Sequence, residues 1–176
     1  MTMKFSNLFC AVALMAGPIL SCYGSPDIPG KDDWPSWRGP NRNGHAAPSQ
    51  ELPASLDPAK HTLWDVGIPG RGHGSPIVVG EHIYLVTADE DKQTQSLLAY
   101  DRDTGNPAWT TVIHSGNFPE RINRKATHAN NSPAHDGEKL YVTFVNDGAA
   151  CATALNLKGE RVWTTRLTDY TVHQGY

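Results

Sequence analysis

The sequence predicts an all-β protein containing two consecutive copies of one four-stranded sheet. Three observations lead there. From about residue 63 onward, short β-branched and aromatic runs alternate with Gly, Asn and Asp punctuation, the pattern of strands and turns. No stretch carries the apolar spacing of an amphipathic helix. The pattern also repeats: Ser75-Pro76-Ile77-Val78-Val79-Gly80-Glu81-His82-Ile83-Tyr84 returns 57 residues later as Ser132-Pro133-Ala134-His135-Asp136-Gly137-Glu138-Lys139-Leu140-Tyr141. Gly105 to Trp109 returns as Gly159 to Trp163 after 54 residues, so the second copy has a shorter third-strand hairpin. A strand-rich repeat of this length holds about four strands.

Taken in order, residues 1–24 read as an export signal. Lys4 supplies the positive start, and Leu8 to Leu20 is an apolar run too short, and too broken by Gly17 and Pro18, to span a membrane. Two processing routes stay open. One is conventional cleavage near Gly24; in the other, Ile19-Leu20-Ser21-Cys22 acts as an imperfect lipobox and Cys22 takes a lipid anchor. The product is expected to be exported, to the periplasm or cell envelope.

Residues 25–62 carry seven prolines, from Pro26 to Pro58. Proline removes a backbone donor and fixes φ, which disfavours long helices and central strands. Trp34 and Trp37 are large apolar groups that should bury, so this stretch is expected to be an extended arm laid over a folded body.

Residues 63–176 carry the strands. Leu63–Val66 is predicted to be an isolated outer strand. The first series is Ser75–Val79, His82–Thr87, Ser96–Tyr100 and Ala108–Ile113. The second is Ser132–His135, Lys139–Val145, Ala150–Leu155 and Arg161–Thr165.

Composition excludes some functions. The chain has 15 Lys+Arg against 18 Asp+Glu, which leaves no basic face for nucleic acid. Its 39% hydrophobic content is that of a folded domain. The three cysteines, Cys10, Cys22 and Cys151, form no disulfide framework, because the first leaves with the signal and Cys151 sits in an alternating run as a small core residue.

The segment Ala99-Tyr100-Asp101-Arg102-Asp103-Thr104-Gly105-Asn106-Pro107-Ala108-Trp109 resembles the Ala-x-Asp-x-x-Thr-Gly-x-x-x-Trp signature of PQQ-like β-propeller repeats. Ala154 to Trp163, with Gly159, is a second, degenerate copy that lacks the Asp and Thr. Leu63-Trp64-Asp65 looks like a third outer strand. Trp34-Pro35-Ser36-Trp37-Arg38-Gly39-Pro40 resembles the opening of exported bacterial members, and His173-Gln174-Gly175-Tyr176 resembles the lead-in to another Ser-Pro strand. The resemblance implies about two four-stranded blades of a longer propeller, since closed rings need four to eight. Trp64, Ala99, Asp101, Thr104, Gly105, Trp109, Ala154, Gly159 and Trp163 are its structural repeat residues. Each Trp is expected to seal a space between blades.

Candidate chemistry is sparse. His73 and His128 precede Ser-Pro strands, and with Arg121 and Arg124 they are the candidate ligand-binding residues on a propeller face. Loop histidines bonding backbone and a solvated basic loop are the plainer readings. Gly67 to Ser75 is glycine-rich but lacks the Gly-Lys-Ser/Thr ending of a phosphate loop. Asp89-Glu90-Asp91 reads as an acidic hairpin tip, not as a calcium loop. No catalytic or metal-binding residue is assigned. The resemblance implies an exported, non-catalytic scaffold or binding propeller similar to the outer-membrane assembly lipoprotein, with a protein or small-ligand partner. Its alternatives are the N-terminal part of a PQQ- and calcium-dependent quinoprotein oxidoreductase, and a ligand-sensing or carbohydrate-binding propeller. Quinoproteins of this superfamily hold the quinone over adjacent cysteines, a pair this chain lacks.

Overall fold

A computed structural model describes residues 30, 32–48, 50–51, 53–120 and 122–171. The export signal, Cys22, Arg121 and His173 to Tyr176 lie outside the described residues.

Eight strands form two separate sheets. β1 (Ile77–Val79), β2 (His82–Asp89), β3 (Thr94–Asp101) and β4 (Pro107–Ser115) make the first sheet, in that order. β5 (Ala134–His135), β6 (Lys139–Asn146), β7 (Ala149–Asn156) and β8 (Arg161–Asp169) make the second. Every pairing is antiparallel, so each sheet is a meander joined by tight turns, as the two predicted strand series require. Both sheets are irregular at matching places: the β3–β4 register shifts at Gln95/Ser96 and Ala99/Tyr100, and the β7–β8 register at Ala150/Cys151 and Ala154/Leu155. Such shifts strengthen local twist.

The core lies between the sheets. Ile77, Tyr84, Val86, Leu97, Ala99 and Ile113 of the first pack with Leu140, Val142, Phe144 and Leu155 of the second, all of them buried. Alternation places these residues on facing sides. The far side of the first sheet also carries buried residues, Leu98 and Tyr100. In contrast, every residue of β8 is exposed.

Three expectations change. Leu63–Val66 joins no sheet: residues 62–68 belong to no strand, and what holds them is the docking of Trp64 on the β3–β4 turn rather than a ladder. The arm holds one helical turn, α1 (Pro58–His61), because the Asp57 carboxylate caps it and Pro58 suits the first helical position. Trp34 and Trp37 do not share one fate. Trp34 is half-buried and pairs with Val78 by two backbone hydrogen bonds of 2.8 and 2.9 Å, and Asp33 Oδ1 accepts from Gly80 N at 2.9 Å. The arm is thus fastened to the free edge of β1. Trp37 stays 64% exposed, with the Arg38 guanidinium 5.7 Å from its ring.

Candidate functional site

The joint between the sheets is built from the repeat residues. Tyr84, Ala99 and Trp109 stand opposite one another across β2, β3 and β4. Alanine in the middle leaves room for the two rings to meet over it, with centroids 5.7 Å apart. The second sheet repeats the arrangement with Tyr141, Ala154 and Trp163 at 6.0 Å.

Each docked tryptophan reaches forward onto the turn of the following sheet. Trp64 Nε1 donates to Arg102 O at 2.9 Å, and Trp109 Nε1 donates to Leu157 O at 3.2 Å. The rings lie on glycines. A Cβ at Gly105 would fall 2.5 Å from Trp64, and one at Gly159 would fall 2.7 Å from Trp109. Both glycines also have positive φ, +71° and +81°, so glycine is needed for conformation and for closeness. Trp64 therefore occupies the place of an outer-strand tryptophan although its segment pairs with no strand. Trp163, expected to seal a space in the same way, is 41% exposed, since no following turn receives it among the described residues.

Asp101 organises the first turn. Its Oδ1 accepts from Thr104 Oγ1 at 2.7 Å, Thr104 N at 2.8 Å and Asp103 N at 3.2 Å. The Thr104 contacts, side chain first, hold its carboxyl below the usual range. Asn156 does the same work in the degenerate copy, accepting from Lys158 N and Glu160 N. An amide replaces the carboxylate because the turn needs only an acceptor.

Sequence reasoning overlooked three joint residues. Gln95 is fully buried, and its Nε2 donates to His128 O at 2.8 Å and Val145 O at 3.1 Å. Arg161 Nη2 donates to Val112 O and Ile113 O of the first sheet. Asn146 Nδ2 donates to Gly116 O at 2.7 Å. A polar residue at a core position of an alternating strand is the signal that would have marked Gln95.

The candidate ligand residues do not converge. His73 is exposed, and its backbone N–H donates to Ala129 O, in the connection before β5, at 2.8 Å. His128 is half-buried, with its ring 4.3 Å from Phe118. Arg124 is exposed. His128 also borders a groove of about 360 Å³ with Asn131, Thr143, Val145, Ala150 and Leu167, among others. The counterparts of Thr143, Val145 and Ala150 one repeat earlier are Val86, Ala88 and Gln95, which the second sheet covers. The groove is thus the uncovered version of the joint.

Two acidic residues beside the strand turns are occupied locally. Asp89 Oδ1 accepts from Lys92 N, and its Oδ2 pairs with the Lys92 ammonium. Asp136 accepts from the Tyr141 hydroxyl, which with the Glu138 and Lys139 amides holds it at about 2. Among the described residues no three His, Cys, Asp or Glu side chains group to hold a metal. Cys151 is a free, half-buried thiol.

Two four-stranded meanders stacked face to face, with Trp109 of the first resting on Gly159 of the second, define consecutive blades of a β-propeller. The chain belongs to the PQQ-repeat family described as "Outer membrane protein assembly factor BamB", whose profile matches residues 51–174. It is 24% identical over 144 residues to a polyvinylalcohol dehydrogenase of a Pseudomonas species, covering 81% of this chain and 21% of that protein. Among solved structures, a europium-containing methanol dehydrogenase aligns with TM-score 0.40 and 14% identity, over 78% of this chain and 32% of that one. The chain therefore spans about a fifth of the length of the curated relative and a third of the solved one.

Proposed function

We propose that this chain forms an exported scaffold or binding part of a PQQ-type propeller, in the periplasm or cell envelope, with a protein or small ligand bound at a propeller face. The observation that supports it most is the employment of three carboxylates at the strand turns. Asp89, Asp101 and Asp136 are each committed to turn backbone or to a neighbouring side chain, and general acid–base work requires a group free to exchange a proton with substrate. The family description, an assembly factor of outer-membrane proteins, agrees with that role. The export-signal pattern of residues 1–24 supports the location, and no helix among the described residues is long and apolar enough to cross a membrane.

A second reading, the N-terminal part of a quinoprotein oxidoreductase, is favoured by the printed name of the dehydrogenase relative. Under it, these two blades would be structural and the reacting groups would lie elsewhere in the protein. One experiment separates the readings. The natural full-length protein is produced with pyrroloquinoline quinone and calcium, then assayed for bound-quinone absorbance and dye-linked alcohol oxidation. The scaffold reading expects neither. Stoichiometric quinone with dye reduction overturns it.

A further inference from the structure

Three histidines line the joint between the blades. The ring of His114, near the end of β4, meets Phe144 of the second blade edge-on at 6.1 Å. Its Nε2 is enclosed without a hydrogen-bond partner. His135 ends β5 opposite Leu140, which belongs to the core shared with the first blade, so its imidazole lies on the joint side. Neither of its ring nitrogens has a partner. His128 stacks on Phe118, and its carbonyl receives Gln95.

Burial is the main influence on all three and holds each below the ordinary histidine range. The charged groups that bear on them are Arg161 for His114, Glu90 for His128, and Asp136 and Asp33 for His135. Arg161 adds to the lowering, whereas the carboxylates oppose it. The two aspartates near His135 are already committed. Asp33 accepts from Gly80 N and Gly30 N, and Asp136 accepts from Tyr141 and two amides.

We propose that this joint is proton-sensitive: protonation of His114 and His135 in a mildly acidic medium loosens the contact between the blades while each four-stranded sheet persists. A charged imidazolium adds a donor at a place where no acceptor is directed at it. The ladders within each sheet are backbone bonds that involve no imidazole. The direction follows from linkage. An unfolded histidine titrates near pH ~6.5. Stabilisation from the neutral folded form is complete above that value and is lost as pH falls through the lower folded values.

Amide hydrogen exchange on the full chain at pH 7.5 and 5.0, corrected for intrinsic exchange chemistry, tests this. His73 N–H and Gly74 N–H, both bonded to Ala129 O across the joint, report opening between the blades. They should lose protection about tenfold, while β2–β3 amides such as Leu85 and Leu98 keep theirs. The double variant His114→Phe with His135→Val, the latter taking the residue found at Val78 one repeat earlier, should retain joint protection at pH 5.0. Unchanged wild-type protection at the joint overturns the proposal, as does equal loss at joint and ladder amides. A folded double variant that loses joint protection as the wild type does overturns it too. If the variant does not fold, the wild-type comparison of joint and ladder amides decides alone.

Discussion

At the scale of single residues, the tryptophan–glycine contact sets how closely two blades approach. Trp109 is half-buried and rests on Gly159, whereas Trp163 is 41% exposed and meets no following turn among the described residues. Removing a large buried aromatic costs about 3–5 kcal/mol, and surface changes usually cost about 0.5 kcal/mol or less. Trp109→Ala should therefore destabilise by about 3 kcal/mol and Trp163→Ala by under about 1 kcal/mol, read from urea unfolding midpoints. Equal losses would contradict the assignment of the joint. Gly105→Ala adds a second case, because its Cβ meets Trp64 and its backbone is left-handed. It should cost about 1–3 kcal/mol. Pairing it with Trp64→Ala should relieve the collision but not the backbone strain, so a double-mutant cycle should show partial recovery.

At the scale of elements, strands β1 to β8 were legible in the sequence because the local pattern and the structure agree. Alternation with a Gly or Asn turn every few residues leaves little choice but a meander, and the repeated Tyr–Ala–Trp spacing fixes which positions face each other. What was not legible depends on contacts distant in sequence. Gln95 lies 33 residues from His128 and 50 from Val145, and no local period announces such a bond. Residues 62–68 carry strand-like composition yet join no sheet, since strand character is completed by a neighbour and not by propensity. His135 was hidden for the same reason: its burial comes from another sheet. Gln95→Leu tests the element-level account. It removes the donor from two carbonyls in the joint, an unsatisfied-polar cost of about 1–3 kcal/mol, and the loss should appear in protection of the β5–β6 region before that of β2–β3. A stabilising effect would mean that apolar filling outweighs the hydrogen bonds.

At the scale of the whole molecule, the two faces of the blade pair differ. The first blade is covered on both sides: residues 62–68 dock on one through Trp64, and the second blade covers the other. The second blade presents β8, the groove beside Thr143 and Val145, and the exposed side chains of Val162, Trp163 and Leu167. Because Trp109 has the same strand position as Trp163 and is covered by a blade, we expect the face of Trp163 to take another blade of the same kind. A form of the protein extended by one PQQ-type blade after Asp169 should blue-shift the emission of Trp163, isolated by replacing the other tryptophans with Phe. The cost of Trp163→Ala should rise to the level of Trp109→Ala, about 3 kcal/mol. The 176-residue chain, with its apolar face open, should self-associate as its concentration rises, and the extended form should do so less, as read by sedimentation velocity. A monomeric 176-residue chain whose Trp163 emission does not move on extension would show that this face is finished as it stands, and that the second blade is a terminal cap whose β8 surface meets solvent.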